Sequence, residues 1–203
     1  MISIDPSLQS DRDNYKLLIG SIIPRPIAFV TTLSAEGILN AAPYSYFNIV
    51  ASNPPLISIS VQRRNGERKD TSRNAVAHGA FVVHISDESY IGQINDTAAS
   101  LPQEESEVTL AGLTPCASTK INVPGVVEAR IRMECVLEHA IPLGGTEGYP
   151  ACDLLIGRVV YFHIDESVYE NGRIDPQALK PVSRLAGNSY AKLGEIFEIA
   201  RPE

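Results

Sequence analysis

Apolar and polar positions alternate with a period of two along much of this chain. Ile27 to Leu33 forms an apolar run, Ser34-Ala35-Glu36-Gly37 has the composition of a turn, and Ile38 onward resumes the run, so a β-hairpin is predicted. After Pro54-Pro55, Ile57, Ile59 and Val61 alternate with Ser58, Ser60 and Gln62, which predicts a strand over 56–61 with one core face and one small polar face. Ala80 to Ile85 predicts a further strand. The longest alternation, Val127 to Ile141, sets Val127, Ala129, Ile131, Met133, Cys135, Leu137, His139 and Ile141 against Glu128, Arg130, Arg132, Glu134 and Glu138. Leu154 to Ile164 is apolar on both faces and should be covered twice, by a helix or by a second subunit.

Helical spacing is scarcer. Asp70 and Thr71 can cap a short helix that Gly79 ends. Tyr90, Ile91, Ile94 and Ala98 mark a stripe between Glu88 and about Ala99, and Tyr190 to Ile199 predicts a terminal helix with Leu193, Ile196 and Phe197 inward. Strands joined mostly without long helices favour a mainly β fold, an antiparallel barrel with peripheral helices, over a doubly wound sheet. The 203 residues fit one domain, with 176–203 as a C-terminal extension packing on it.

A net charge of −7 argues against chain-wide affinity for nucleic acid or an anionic membrane, both of which require positive charge. No apolar run approaches the ~20 residues needed to cross a bilayer, and the polar start from Met1 to Asn14 lacks the apolar stretch of a signal peptide; a cytoplasmic location is expected. Cys116, Cys135 and Cys152 suit neither a disulfide framework nor close-spaced metal ligands, and His78, His84, His139 and His163 offer no short-range ligand pair, so no metal site is expected.

Against this acidic background Arg63, Arg64, Arg68, Lys69 and Arg73 place five of the 17 basic residues within eleven positions, so any basic site is local. They lead into the start of the helix over 70–79, where unpaired backbone N–H groups and the Thr71 or Ser72 hydroxyl can receive a phosphate; a solvated basic loop before a capped helix accounts for the same residues. Just upstream, Tyr44-Ser45-Tyr46-Phe47-Asn48 and the Ser-faced strand supply planar side chains and small hydrogen-bonding groups that suit a flat heteroaromatic ring, or an aromatic strand end packed into the core. A ring-binding segment followed by an anion-binding helix start is what a mononucleotide such as FMN needs.

The chain also resembles the flavin-reductase-like, FMN-binding split-barrel proteins over nearly its whole length. The resemblance rests on Pro24-Arg25-Pro26-Ile27-Ala28-Phe29-Val30-Thr31-Thr32, on Asn40-Ala41-Ala42-Pro43 and the aromatic run that follows, on Asn53-Pro54-Pro55, and on Lys69-Asp70-Thr71 with Asn74. Ile156-Gly157-Arg158-Val159 and Arg184-Leu185-Ala186-Gly187 with Tyr190 extend it, the family's usual double glycine being Ala186-Gly187 here. The resemblance implies an FMN site drawn from Tyr44, Ser45, Tyr46, Phe47, Asn48, Ser60, Arg63, Lys69, Asp70, Thr71 and Asn74. In it Ser45 to Asn48 line the isoalloxazine, Ser60 stands beside the ribityl chain, Lys69, Thr71 and Asn74 serve the phosphate, and Arg63 is a further contact for that anion.

The implied activity is oxidoreduction: hydride moves from NAD(P)H through FMN to free flavin or another acceptor, in a homodimer. No acid–base triad is required, because the cofactor accepts the hydride. No GxGxxG fingerprint is present, so nicotinamide would visit as a substrate. Many nicotinamide-using relatives carry a His five residues before the glycine of the late strand, where this chain has Cys152. That departure keeps two alternatives open, an FMN-binding electron carrier or flavin-holding protein and a flavoprotein acting on an organic substrate.

Overall fold

The computed structural model describes residues 1–202. In chain order the elements are α1 (Asp11–Ser21), β1 (Arg25–Pro26), β2 (Ala28–Leu33), β3 (Leu39–Tyr44), β4 (Phe47–Ser52), β5 (Pro55–Gln62), α2 (Asp70–His78), β6 (Ala80–Ile85), α3 (Ile91–Asp96) and α4 (Glu107–Leu110). There follow β7 (Pro115–Cys116), β8 (Gly125–Val126), β9 (Ile131–Leu143), β10 (Cys152–Ile164), β11 (Tyr169–Glu170), β12 (Arg173–Ile174), α5 (Pro176–Leu179), β13 (Val182–Arg184) and β14 (Tyr190–Lys192).

Seven strands form one antiparallel sheet in the order β3-β2-β6-β9-β10-β5-β4. The sheet curls until β3 approaches β5, and the bend at Ser45-Tyr46 carries the chain from one edge strand to the other. Inside the curl lies the main core, with Val30, Ile59, Val61, Phe81, Val83, Cys135 and Leu155 fully buried. A second cluster, Phe29, Tyr90, Ile94, Val108 and Val126, fills the outer side under α3 and α4. A separate sheet, β1-β13-β14, ties the start of the barrel to the C-terminal region through Arg25 opposite Arg184 and Pro26 opposite Ser183.

The fold is the mainly β, antiparallel barrel that the strand pattern predicts, in the split form that the family resemblance implies. The hairpin appears as β2 and β3, and α2 ends at Gly79, whose φ of 67° is left-handed backbone that favours glycine. Three local expectations are corrected, and one helix lies where no element was expected. The polar lead-in contains α1, capped by Ser10, whose side chain accepts from the backbone N–H of Asp13 at 3.2 Å; its apolar residues form no single stripe, and only Ile19 is buried. The helix expected over 88–99 contracts to α3. The strand expected from Val127 begins at Ile131, as β9, and a β-bulge beside Glu138 reverses its phase, so Ala140 instead of His139 turns to the core. The terminal helix is absent: after β14 the chain through Pro202 has no regular structure, and Leu193, Ile196 and Phe197 are exposed. A ten-residue helix interrupted by Gly194 and without a packing surface is marginal in water.

The polar face of β9 also departs from expectation, since Glu134 is completely buried. The 118–123 loop folds over it, and its carboxylate accepts from the backbone N–H groups of Thr119 and Lys120, both at 2.6 Å, and of Ile121 at 3.2 Å, with His163 Nε2 at 2.6 Å. Burial alone would raise its pKa, but these hydrogen bonds together hold it below the ordinary value.

Candidate functional site

The barrel's end strands and both terminal regions converge on a cleft of about 310 Å³. Its floor is the β3–β4 connection, Pro43 to Tyr46, beside Ser60 and Gln62 of β5. These are joined by the Ser60 N–H, which donates to the Tyr46 carbonyl at 2.8 Å. Tyr15 and Ile19 of α1, Ile94 and Asn95 of α3, and Arg184, Leu185 and Tyr190 from the C-terminal sheet form the walls. Lys69 stands at the boundary with a larger, more polar cavity of about 930 Å³, which shares Pro43, Tyr44, Lys69 and Ala98 with the cleft and is edged by Arg63, Arg64, Arg68 and Arg73 together with Glu67, Asp70 and Glu107.

The cleft is lined by three cations, Arg25, Lys69 and Arg184, and by no carboxylate among the described residues. In a chain of net charge −7 this is a local inversion of sign. Planar groups are also concentrated here: Tyr44 and Tyr46 in the floor, and Tyr190 with the Arg184 guanidinium 4.5 Å from its ring centre. The volume lies at the small end of the ~300–1,000 Å³ typical of small-molecule sites, and the adjoining cavity extends it. A planar ring carrying an anionic tail therefore fits the residues present.

The residues singled out from sequence divide into groups. Tyr44, Ser45, Tyr46, Ser60 and Lys69 come together on the cleft, whereas Arg63, Asp70 and Thr71 edge the second cavity. Phe47 packs against the barrel core. Asn48 is exposed on β4, where its Oδ1 accepts from the N–H of Ile49 at 2.8 Å. Asn74 is buried in α2 and donates to Thr32 Oγ1 at 3.3 Å.

Beneath the boundary between the cavities runs a buried polar network. The Thr71 hydroxyl donates to Asn40 Oδ1 at 2.9 Å, and the Asn40 amide donates to both oxygens of Glu107 at 3.1 and 3.0 Å. Glu107 also accepts from the N–H of Ala41 at 3.1 Å. Burial pushes the Glu107 carboxyl above its ordinary range despite these donors. Burial of its hydroxyl end pushes the Tyr44 phenol up to about 12, so at neutral pH it keeps its proton beside Thr71.

The basic run is less positive than its count suggests. Asp153, fully buried on β10, accepts from Arg63 at 2.6 and 3.1 Å and from Ser72 at 2.9 Å, and lies 3.4 Å from Arg68. Burial opposes its ionisation, but the Arg63 and Ser72 hydrogen bonds and the two arginine charges hold it low. Arg73 pairs with Asp70. Among the described residues Lys69 and Arg64 have no carboxylate partner.

Several wall residues are absent from the sequence-derived set. Arg25, Arg184, Gly187 and Tyr190 lie within the motifs that carry the family resemblance, and that was the available signal; Tyr15, Ile19 and Asn95 carry none. Among the described residues no cluster of three or more His, Cys, Asp or Glu side chains could hold a metal, and no helix is long and apolar enough to cross a membrane.

Comparison with known proteins bears on the same region. The profile of the flavin reductase like domain matches residues 19–179. The crystal structure of nitrilotriacetate monooxygenase component B from Bacillus cereus is 71% identical, superposes with a TM-score of 0.97, and covers 98% of each chain. The 2-nitrobenzoate 2-nitroreductase NbaA of Pseudomonas fluorescens is 30% identical at a TM-score of 0.89, over 99% of this chain and 96% of that one. The uncharacterized protein YwrF of Bacillus subtilis (strain 168) is 59% identical over 95% of both chains. With the cationic, tyrosine-lined cleft at the end of a split barrel, these matches establish that the chain belongs to the flavin reductase-like family, a family of oxidoreductases whose cofactor is a flavin.

Proposed function

We propose that this protein is an FMN-dependent oxidoreductase that takes hydride from NAD(P)H and delivers the electrons to a flavin or another acceptor. The observation that carries the reading is the sign of the cleft: three cations and no carboxylate around a tyrosine-walled slot, in an acidic chain. When bound, FMN supplies the hydride-accepting chemistry, so the protein need only bind, orient and exclude water.

Lys69, free of any ion pair among the described residues, is placed to receive the phosphate where the cleft meets the basic cavity. Ser45 and Ser60 offer short hydroxyls, and Tyr44 offers its ring, its phenol being buried near the network of Thr71, Asn40 and Glu107. Arg184 on Tyr190 closes the far wall. Ile49 and Val50 of β4 and Tyr161 and Phe162 of β10 are large apolar side chains left exposed, which supports a homodimer that covers them. We place the protein in the cytoplasm, a location that suits its three unpaired cysteines.

Anaerobic mixing of FMN-loaded protein with NADH and with NADPH tests the reading. Bleaching of the flavin absorbance by one donor is expected, and no bleaching by either would remove the nicotinamide step. A second reading, in which bound FMN serves as an electron carrier or acts on an organic substrate, is favoured by Cys152 standing where nicotinamide-using relatives carry His. Tight FMN retention without bleaching, followed by turnover of the chemically reduced protein with an organic acceptor, would be its signature.

A further inference from the structure

Arg25, between Pro24 and Pro26, is only 6% exposed. Its Nη1 donates to the carbonyls of Ile19 (2.8 Å) and Ile22 (2.6 Å), its Nη2 to the carbonyl of Leu185 (3.0 Å), and its Nε to Ser45 Oγ (3.4 Å). All four acceptors are neutral. Among the described residues no carboxylate lies within ion-pair distance of Arg25, whereas Arg63 and Arg68 have Asp153, Arg73 has Asp70, and Arg130 approaches Asp87. A guanidinium keeps its charge in a protein, and burying a charge without an opposite one is costly. Carbonyl dipoles offset part of that cost and leave a net positive charge on the wall of the cleft.

Lys69 and Arg25 line the cleft in different surroundings. Lys69 belongs also to the basic cavity, which suits a permanent anion such as a phosphate. Arg25 does not; it sits with Tyr15, Ile19, Ile27 and Tyr46, among planar and apolar groups that suit a ring. The oxidised ring is neutral, and gaining a hydride, two electrons and one proton from an NAD(P)H that leaves as NAD(P)⁺, gives it one negative charge. We propose that Arg25 is the cleft-lining charge that stabilises the reduced, anionic flavin ring in preference to the oxidised one, and so sets the potential of the bound cofactor. The inference rests on the FMN reading and extends it to the redox step.

The test compares wild type, Arg25→Lys and Arg25→Gln by titration of oxidised FMN and by dye-equilibrated reduction of the loaded protein. Lys keeps the charge without the four-way clamp, and Gln keeps some hydrogen bonding without the charge. Arg25→Gln should weaken reduced FMN at least tenfold more than oxidised FMN, a fall of about 30 mV or more for a two-electron couple, while Arg25→Lys stays within threefold of wild type. Equal weakening of both oxidation states in Arg25→Gln, or equal loss in the two variants, would show that Arg25 only clamps the walls and overturn the proposal.

Should Arg25→Gln not fold, wild type alone still decides. The change from one-proton to two-proton uptake on reduction should fall at lower pH in the bound cofactor than in free FMN, and an unmoved break refutes the inference. Wild-type protein that takes up no FMN would sink the cofactor reading and this inference together, whereas FMN uptake with an unchanged potential in Arg25→Gln sinks the inference alone.

Discussion

Gly157 lies on β10 opposite Leu137 of β9, at the bulge, and opposite Ile57 of β5. A Cβ added there would fall on the Phe81 ring and stand 3.2 Å from the Cβ of Cys135. Phe81 is fully buried in the same cluster as Ile59, Cys135 and Leu155, so its ring has no solvent side to move into. Overpacking of this kind costs about 1–3 kcal/mol, and the entropy lost by the unfolded chain on replacing Gly with Ala returns at most about 1 kcal/mol. With the clash centred on a ring, Gly157→Ala should cost about 2 kcal/mol net. For a chain of this size that lowers the Tm by about 4–8 °C. Thermal unfolding of wild type, Gly157→Ala, Phe81→Leu and the double variant isolates the cause, because Phe81→Leu removes the atoms that the new methyl meets. The double variant should lose at least about 1 kcal/mol less than the sum of the singles. An unchanged Tm in Gly157→Ala, or additivity within about 0.5 kcal/mol, would refute the close-approach account of this glycine.

Three further outcomes are expected. His84 donates from Nδ1 to the Phe29 carbonyl at 2.9 Å and accepts at Nε2 from the Val126 N–H at 3.0 Å, and burial pushes its pKa from 6.5 down to about 3. The unfolded chain therefore binds this proton first, so the His84 contribution is fully present above about pH 6.5 and falls by up to about 1.4 kcal/mol per pH unit towards pH 3. Denaturant unfolding at pH 8 and pH 5 should differ by about 2 kcal/mol from this residue, and an equal difference in His84→Gln would contradict it. Lys69→Ala should weaken FMN binding by roughly ten- to a hundredfold, the value of one charge-assisted bond, in a fluorescence titration; unchanged affinity would remove Lys69 from the phosphate end. Phe162, half exposed on β10, should lie in the dimer interface, so Phe162→Asp should sediment as a monomer, and a monomeric wild type would discard the dimer.

Local chemistry explains what the sequence disclosed. The hairpin of β2 and β3, the alternating β5 and the Gly79 stop after α2 are written in neighbouring residues, where period and turn composition suffice. The bulge beside Glu138 is invisible to a period-two reading, because one extra residue inverts the phase without altering the composition. Glu134 has the pattern of a surface residue, yet it is buried because a loop centred fifteen residues upstream supplies its donors. The cleft follows the same rule. Tyr44, Ser45, Tyr46, Ser60 and Lys69 lie within one stretch of chain and could be grouped by proximity, while Tyr15, Arg25, Asn95, Arg184 and Tyr190 meet only through tertiary pairing. The basic run shows the converse, since charge counting could not anticipate that Asp153, on a distant strand, pairs with Arg63 and Arg68.

The pairing of β1 with β13 has a consequence for the order in which the protein becomes functional. All seven strands of the main sheet are complete by Ile164, so during synthesis the barrel can close some twenty residues before Arg184 and Tyr190 leave the ribosome. A nascent chain at that stage has its sheet but an open-sided cleft, and Arg25 lacks the Leu185 carbonyl that helps hold it. A fragment trimmed to the 19–179 homology region keeps every strand of the barrel yet loses Tyr15 from one wall of the cleft and Arg184, Leu185 and Tyr190 from another.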